Sequence, residues 1–417
     1  MAFMTRAGSD QEHLPVEELL REQIAGVREL MGGAWQAAPG FVRRLEAAGL
    51  APSDLRGAGD LPRFPILRKS DLPKLQAAEP PFGGLLAVPI ERLHRLFASP
   101  GPIYEPEGEG PGYYRWERTM RACGFSPGDI VLNCFGYHLT PAAAMFEEGA
   151  RAVGCVVVPA GIGNSELQVA VAAHYRANGY IGLPSYLKVL LEQAAKSGVR
   201  LSIAKALVLA EKLPESLRQE FQQRHGIHVR QGYGTAELGA IAYECEAGRG
   251  FHLDPGALVE IVDPQTGEPV EPGTPGEVVC TPLNPVYALL RFATGDLAAL
   301  DSAPCSCGRT TSRLTAILGR VDQSTKVRGL FLHPAQLVEA LAAFPMVECF
   351  RAAVIRERAM DDLVIEVTAA AALPGDLLGA LAARVKETTK LGARVVQLAS
   401  GEIPEGCPAI DDRRKWD

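Results

Sequence analysis

Residues 114–240 alternate between short apolar runs and stretches with apolar residues at helical spacing. The apolar runs predict buried strands at 129–133, 155–159, 179–182, 206–210 and from 228 onward. The intervening stretches predict helices at 114–123, 141–153, 167–175, 186–197 and 214–225. Strands that alternate with helices indicate a mostly parallel sheet covered by helices on both faces. Ligands of such sheets bind at the carboxyl ends of the strands.

The pattern differs on either side of this region. Residues 14–50 carry helical periodicity, whereas short β-like runs such as 257–262, 276–280 and 287–292 follow one another between Pro/Gly turns. Two helices (334–344 and 374–389) and three strands (350–355, 363–368 and 394–398) are predicted near the end. The chain is therefore predicted to be an α/β protein with a β-rich subdomain in a large domain, 1–320, and a small mobile α+β domain, 321–417.

Composition narrows the class of protein. A length of 417 residues favours at least two domains, and 47% hydrophobic with 22% charged residues is typical of a soluble enzyme. The net charge of −7 offers no basic surface for nucleic acid. The polar start predicts no secretory signal, and no apolar run is long enough to span a membrane. We expect a cytoplasmic protein that binds small molecules.

Four residues have the spacing of a metal site. Cys305 and Cys307 form a tight C-x-C turn, and Cys245 precedes His252 by seven residues. Three thiolates and one imidazole would form a closed, structural zinc site without an open position for catalysis. The alternative is four unrelated residues, with the cysteines acting as small hydrophobic side chains. The C-x-C turn favours zinc.

Three loops carry candidate nucleotide chemistry. In Gln231-Gly-Tyr-Gly-Thr-Ala-Glu237, glycines allow a ligand to approach the backbone, Thr235 offers a hydroxyl to a phosphate, and Glu237 offers a carboxylate to Mg²⁺. Asp296 follows a tight glycine turn and could accept both hydroxyls of a ribose. The loop at 319–329 could be a hinge between domains. Taken singly, the three loops could equally be a strand-to-loop turn, a hairpin turn and a charged loop.

Together these loops resemble the YGxTE, RxxTGDL and GRxDxxxKxxG motifs of adenylate-forming enzymes, which activate a carboxylate with ATP and pass it to coenzyme A. Within that superfamily the chain is most similar to the phenylacetate–CoA ligase branch. The supporting segments are residues 135–137, 158–163, 182–186 and 209–211. The resemblance covers about 62 to 400 and implies Mg²⁺, ATP or AMP, coenzyme A and a carboxylic acid as ligands. It also suggests a homodimer and strengthens the zinc hypothesis, because many relatives carry a similar Cys/His cluster.

The resemblance also implies roles for individual residues. Adenine would be surrounded by five residues: Ala210, Glu211, Gly232, Tyr233 and Gly234. The phosphate and ribose would be held by Thr235 at the α-phosphate, Glu237 through Mg²⁺ and Asp296 at the ribose, with Arg291 or Arg320 nearby. Asp322 would be the pivot of the C-terminal domain. An aryl group would occupy an acyl pocket lined by Phe135, Gly136 and Tyr137.

Two segments depart from the family pattern. Relatives carry a phosphate loop rich in Ser, Thr and Gly that ends in Gly-Lys, whereas residues 97–106 contain Pro102, Ile103 and, at the lysine position, Glu105. Proline removes N–H donors, and a carboxylate repels phosphates. The stretch is therefore better interpreted as a rigid Pro-rich turn than as a phosphate cradle. The family's C-terminal lysine is replaced by Glu405, Gly406 or Cys407, and Lys415 would serve only in a different arrangement.

Three hypotheses follow. The first is a ligase that joins an aryl acid to coenzyme A through an acyl-adenylate. The second is a degenerate relative that binds AMP, an acyl-adenylate or an acyl-CoA without ATP-driven adenylation. The third is a zinc-stabilised interaction protein, which would leave the nucleotide loops unexplained.

Overall fold

The structure is a computed structural model that describes residues 9–99, 102–110, 112–321, 323–328, 330–357, 360–404 and 407–414. The chain divides into two compact units. The larger comprises residues 1–213 and 217–318, and the smaller comprises residues 214–216 and 319–417. In the described part of the chain, no helix is long and apolar enough to cross a membrane.

Eight of the described α-helices begin before residue 220, and seven of these lie wholly in the larger unit. They are α1 Val16–Ala37, α2 Pro39–Ala47, α3 Leu72–Ala78, α4 Trp116–Ala122, α5 Ala142–Val153, α6 Ser165–His174, α7 Pro184–Lys196 and α8 Glu215–Gln219. The smaller unit contributes α9 Pro334–Leu341 and α10 Gly375–Thr389. Local sequence explains several ends: Asn164 accepts the Leu167 N–H at the start of α6, and α5 stops at Gly154, whose φ is 98°.

The strands follow the same order along the chain. The strands that begin before residue 240 are β1 Leu67–Arg68, β2 Leu93–Ser99, β3 Ile103–Gly108, β4 Ile130–Asn133, β5 Val156–Pro159, β6 Gly179–Gly182, β7 Lys205–Val208, β8 His228–Thr235 and β9 Gly239–Tyr243. The remainder are β10 Phe251–Leu253, β11 Ala257–Val262, β12 Gly276–Pro282, β13 Phe292–Asp301, β14 Arg313–Arg320, β15 Thr325–Val327, β16 Leu330–Leu332, β17 Cys349–Glu357, β18 Met360–Thr368, β19 Arg394–Gln397 and β20 Ile410–Asp412.

One large sheet organises most of these strands. Its order is β11-β12-β13-β14-β10-β9-β8-β7-β6-β4-β5, with β1 paired to β13. The strands from β5 to β8 are parallel, as the sequence predicted, and β9 and β10 continue the sheet with antiparallel pairing. The predicted fold class is confirmed. The strand predicted at 287–292 starts later in the structure, where β13 begins only at Phe292. Tyr287 instead makes an isolated bridge to Leu86.

The parallel strands bury both faces, which explains their continuous apolar runs. Val131, Ile181 and Leu207 pack on one side with α4 and α5, whereas their neighbours Leu132 and Ala206 pack on the other side with α6 and α7. This alternation follows the two-residue period of a strand. The candidate site residues lie in the loops at the carboxyl ends of β4, β6, β7 and β8.

The predicted Pro-rich turn at 97–106 belongs to a β-hairpin. Strands β2 and β3 pair antiparallel and form a separate two-stranded sheet, with Phe97 opposite Glu105 and Ser99 opposite Ile103. Pro102 lies between the two strands, where a missing N–H removes no hydrogen bond of the ladder. The hairpin stands where the resemblance implied a phosphate loop rich in Ser, Thr and Gly.

The smaller unit is built on a four-stranded sheet in the order β19-β18-β17-β20. Its core packs α9 and α10 on this sheet through residues such as Leu337, Leu381 and Ile365. Arg413 binds both oxygens of Glu366 at 2.6 and 2.8 Å and so fastens the segment after β20 to β18. Bidentate pairs of this kind fix geometry as well as charge. Glu405, Gly406 and Lys415 lie outside the described residues.

An indole ring fills the space beside β8. Trp116 is buried at the start of α4, and its ring leaves no room for a side chain at Gly232 or Gly234. A Cβ at Gly234 would lie 2.8 Å from Trp116 Cζ2 and 2.1 Å from the carbonyl oxygen of Gly239. The two glycines are thus required by packing, and β8 is held flat against α4.

Replacing Gly234 with alanine should therefore lower the free energy of unfolding by about 1 to 3 kcal/mol, because the added methyl group collides with fixed backbone. Thermal unfolding should show a midpoint several degrees below that of the unmodified protein. Gly136→Ala is a matched control, since the nearest atom to its Cβ would be 3.9 Å away. Equal midpoints for the two variants would contradict the packing argument.

Candidate active site

The loop 231–237 lies at the carboxyl end of β8, the last parallel strand. Its backbone continues into a turn that ends at Gly239, whose φ of 72° suits glycine. Thr235 Oγ1 accepts a hydrogen bond from the N–H of Leu238 at 3.3 Å, which closes the turn. The turn therefore has a defined shape.

Tyr233 links this loop to the second one. Its hydroxyl donates to Asp296 Oδ2 at 2.8 Å, although the two residues are 63 positions apart. Thr294 Oγ1 accepts from the Asp296 N–H at 3.1 Å and fixes the turn in β13. Burial, together with the charge on Asp296, raises the pKa of Tyr233 well above its usual value, so the phenol remains a donor. The predicted adenine and ribose residues thus lie side by side.

Ala210 and Glu211 follow β7, the neighbouring strand in the sheet. Ala210 adopts a left-handed conformation with φ of 66°, which turns the chain sharply after the strand. Glu211 Oε2 accepts a hydrogen bond from Ser185 Oγ at 2.6 Å, so it connects the ends of β6 and β7. These residues stand beside the loop after β8, where adjacent parallel strands must bring them.

Glu237 is completely buried and is paired with Lys69. The Lys69 Nζ lies 2.8 Å from Glu237 Oε1. Burial acts to raise the pKa of Glu237, but Lys69 outweighs it and holds that pKa below its usual value. Glu105, on β3, behaves in the opposite way: burial, reinforced by the charge on Glu237, raises its pKa to about 8. One carboxylate and one carboxylic acid therefore coexist near neutral pH.

The predicted acyl-pocket residues follow β4. Phe135 stacks on Phe146 with ring centres 4.7 Å apart, and Phe146 in turn meets Trp116 at 4.8 Å. The Tyr137 hydroxyl donates to Glu147 Oε2 at 2.8 Å and accepts from Asn133 Nδ2. An aromatic row thus leads from the loop after β4 toward the glycines of β8. Whether it receives an acyl group stays a prediction.

Arg291 is buried and makes contacts that stabilise the fold. It is 1% exposed, and its guanidinium binds Glu260 at 3.0 Å and the carbonyl oxygens of Pro62, Phe64 and Gly267. These contacts fasten the start of β13 to the segment before β1. Its participation in nucleotide binding stays a prediction. Arg320 is the last residue of β14, and Asp322 lies outside the described residues.

The structure brings together the four residues with metal-site spacing. The ligand atoms of Cys245, His252, Cys305 and Cys307 all lie within 4.8 Å of one another. The Cys245 and Cys305 sulfurs are 3.8 Å apart. A tetrahedral zinc with Zn–S bonds of about 2.3 Å would place them at roughly that separation. The donor set and its spacing therefore fit a zinc ion.

The His252 ring is oriented for such a role. Its Nδ1 lies 3.0 Å from the carbonyl oxygen of Thr311, which leaves Nε2 facing the Cys307 sulfur at 3.4 Å. Burial lowers the pKa of His252 to about 4, so the imidazole is neutral as a ligand must be. A carbonyl partner on the second nitrogen is the usual device that fixes a metal-binding tautomer.

Sequence reasoning missed Lys69 as the partner of Glu237 and Trp116 as the packing partner of the β8 glycines. Neither position carries a motif that would single it out, because both act through contacts between distant segments. Glu105 departs from the family pattern in the sequence, but the burial that raises its pKa is visible only in the structure.

The chain is similar to known proteins in both sequence and structure. The AMP-binding enzyme family matches residues 114–282. Phenylacetate-coenzyme A ligase of Thermus thermophilus is 34% identical over 85% of this chain and 82% of its own length, and that of Escherichia coli is 30% identical over 80% and 78%. A crystal structure of 2-hydroxyisobutyryl-CoA ligase with 2-HIB-AMP and CoA superimposes with a TM-score of 0.86 at 25% identity, covering 97% and 92% of the two chains. The chain belongs to the phenylacetate–CoA ligase branch of the adenylate-forming enzymes.

Proposed function

We propose that this chain is an AMP-forming acid–thiol ligase that uses ATP to join an aryl, phenylacetate-like carboxylic acid to coenzyme A. The observation that carries the proposal is the hydrogen bond between Tyr233 and Asp296. It brings together two segments that match nucleotide-binding motifs of this family. The larger unit would hold ATP and the acid. Residues 321–417 would act as the mobile domain, with Asp322 as its pivot.

The reaction would proceed in two displacements. A carboxylate oxygen of the acid attacks the α-phosphorus of ATP, the bond to the β-phosphate breaks, and pyrophosphate leaves. The thiol of coenzyme A then attacks the acyl carbon, loses its proton, and AMP leaves with the electrons of the broken C–O bond. Catalysis of this kind depends on positioning and electrostatic stabilisation more than on covalent participation by the protein.

Each site residue has a place in this scheme. Asp296 would accept the ribose hydroxyls, while Tyr233 and the glycines beside it would support the adenine with Ala210 and Glu211. Thr235 would donate to the α-phosphate, and Arg320 would approach the same nucleotide. Glu237 would hold Mg²⁺, whose charge offsets that of the phosphates. Lys69 already neutralises part of the charge of this carboxylate, since its Nζ lies 2.8 Å from Oε1 of Glu237.

A second candidate function is favoured by Glu105. A buried carboxyl group at the place of the phosphate-loop lysine disfavours direct contact with a triphosphate. The chain would then bind AMP, an acyl-adenylate or an acyl-CoA without ATP-driven adenylation. Pyrophosphate release with ATP and a panel of aryl acids separates the two. No release, together with measurable AMP binding, would establish the second function; a silent result in both assays would favour a zinc-stabilised interaction protein.

We further propose a structural zinc ion at Cys245, His252, Cys305 and Cys307. It would fasten the segment after β9 to the turn before β14 and would take no part in the reaction. A cytoplasmic location and a homodimer are proposed on the same family resemblance. Size-exclusion chromatography with light scattering tests the dimer directly, and a single-chain mass would contradict it.

Asp296→Asn should weaken ATP binding about 10- to 100-fold, because each hydrogen bond to a charged acceptor contributes about 1.5 to 3 kcal/mol. Isothermal titration with ATP and Mg²⁺ measures the effect. Asp376→Asn, an exposed position at the start of α10, is the matched control and should bind as the unmodified protein does. An Asp296→Asn protein that folds normally and binds ATP with unchanged affinity would remove Asp296 from the nucleotide site.

The purified protein should contain one zinc ion per chain, and chelators should lower its thermal midpoint, because a closed zinc site contributes directly to folding. Cys307→Ser should lose the metal. Cys349→Ser should retain it, since that exposed cysteine is remote in sequence from the cluster. A well-folded preparation without zinc, with a midpoint that ignores chelators, would disprove the site.

A further inference from the structure

The aromatic row formed by Phe135, Phe146 and Trp116 becomes more buried along its length. Phe135 lies in the loop after β4 and is half-buried, whereas Phe146 is 4% exposed and Trp116 is 2% exposed. The ring centres of successive members lie 4.7 and 4.8 Å apart, so the three rings are in contact. The row therefore has an accessible end at the loop after β4 and a closed end at Trp116.

Backbone on two sides fixes the position of the Trp116 ring. On β8, a Cβ at Gly232 would lie 2.8 Å from Trp116 Cζ3, and a Cβ at Gly234 would lie 2.8 Å from Cζ2. On α5, a Cβ at Gly149 would lie 2.7 Å from the Cβ of Trp116. Main chain in a packed interior does not recede to make room. The indole is thus a rigid wall between α5 and β8.

The N–H group of this indole has no partner. Trp116 Nε1 is buried and donates to no acceptor within the part of the chain that the structure describes. Because Cζ2 is bonded to the carbon that carries Nε1, the N–H lies on the side of the ring nearer Gly234, toward the carboxyl end of β8. Buried indole N–H groups are usually paired, and an unpaired one indicates a missing ligand or water. Trp116 therefore borders a ligand site as well as the core.

The chemistry of these walls selects the kind of ligand. Aromatic walls bind the apolar part of a ligand, while a few polar groups orient the rest. The carboxylate of an acid would lie at the carboxyl ends of the strands, and its apolar part would extend along the row toward Trp116. A longer apolar part would collide with a ring that cannot move, and such overpacking is unfavourable. Length is the property of the acid that this wall distinguishes.

We propose that Trp116 determines specificity by closing the inner end of the acyl pocket. It restricts the acid to arylacetic acids, in which a single CH₂ group separates the ring from the carboxyl carbon, and excludes arylalkanoic acids with longer chains. This inference rests on the proposed ligase function and on the acyl pocket at residues 135–137.

Steady-state kinetics with phenylacetate and 4-phenylbutyrate tests the role of Trp116. In Trp116→Val, the ratio of kcat/KM for 4-phenylbutyrate to that for phenylacetate should rise at least about tenfold, since apolar pockets discriminate between chain lengths by about 10- to 200-fold. The KM for ATP should stay unchanged. A purely structural role would lower kcat/KM for both acids alike, and an unchanged ratio would overturn the proposal.

Trp35→Val is the matched control. Trp35, on α1 of the larger unit, packs against a different hydrophobic cluster from that of Trp116, so the same substitution should leave the ratio of the two acids unchanged. If Trp116→Val fails to fold, Trp116→Phe keeps a smaller aromatic ring and should shift the ratio in the same direction by a smaller factor. An unchanged ratio in a folded Trp116→Phe protein would overturn the proposal in that case.

Binding measurements separate this inference from the ligase function. The probes are the phenylacetyl and 4-phenylbutanoyl forms of acylsulfamoyl adenosine, unreactive analogues of the acyl-adenylates, and isothermal titration gives their dissociation constants. If no acid is turned over, the ligase function fails, and a tenfold shift in the ratio of these constants in Trp116→Val still supports the inference. Turnover with an unchanged ratio overturns the inference and leaves the ligase function standing. An unmodified protein that binds neither analogue also overturns the inference.

Discussion

The hydrogen bond between Tyr233 and Asp296 is the constraint on which the proposed nucleotide site depends. It joins β8 to β13, two strands that lie on opposite sides of β9, β10 and β14 in the sheet. Trp116 supports the arrangement from beneath by filling the space that glycines at 232 and 234 leave open.

Two buried carboxyl groups, those of Glu105 and Glu237, are in different charge states near neutral pH. Glu237 is charged and paired with Lys69, while the pKa of Glu105 is raised to about 8. Buried carboxyl groups whose pKa values are shifted in opposite directions are characteristic of functional sites. Because burial raises its pKa, the carboxyl group of Glu105 can be neutral, and a neutral acid is tolerated in the interior of the hairpin.

Much of the fold followed from the sequence because local patterns agree with the global architecture. The apolar run at 179–182 became β6 without change, and the helix predicted at 374–389 corresponds to α10. The Cys/His cluster was also predictable, since a C-x-C turn constrains geometry by itself. The pairing of Lys69 with Glu237 was not, because it depends on a contact between distant segments. The hairpin at 93–108 was predicted only as a Pro-rich turn. Arg291 illustrates the same limit: its motif suggested nucleotide, and its four structural contacts are invisible in the sequence.

The proposed ligase reaction makes an acyl thioester through an acyl-adenylate. Mass spectrometry of a reaction containing the zinc-loaded protein, ATP, Mg²⁺, phenylacetate and coenzyme A tests it most directly. AMP and phenylacetyl-CoA should form in equal amounts, and both should be absent when the acid or ATP is left out. Formation of ADP in place of AMP, or no product with phenylacetate or any other aryl acid from a protein that still binds AMP, would contradict it.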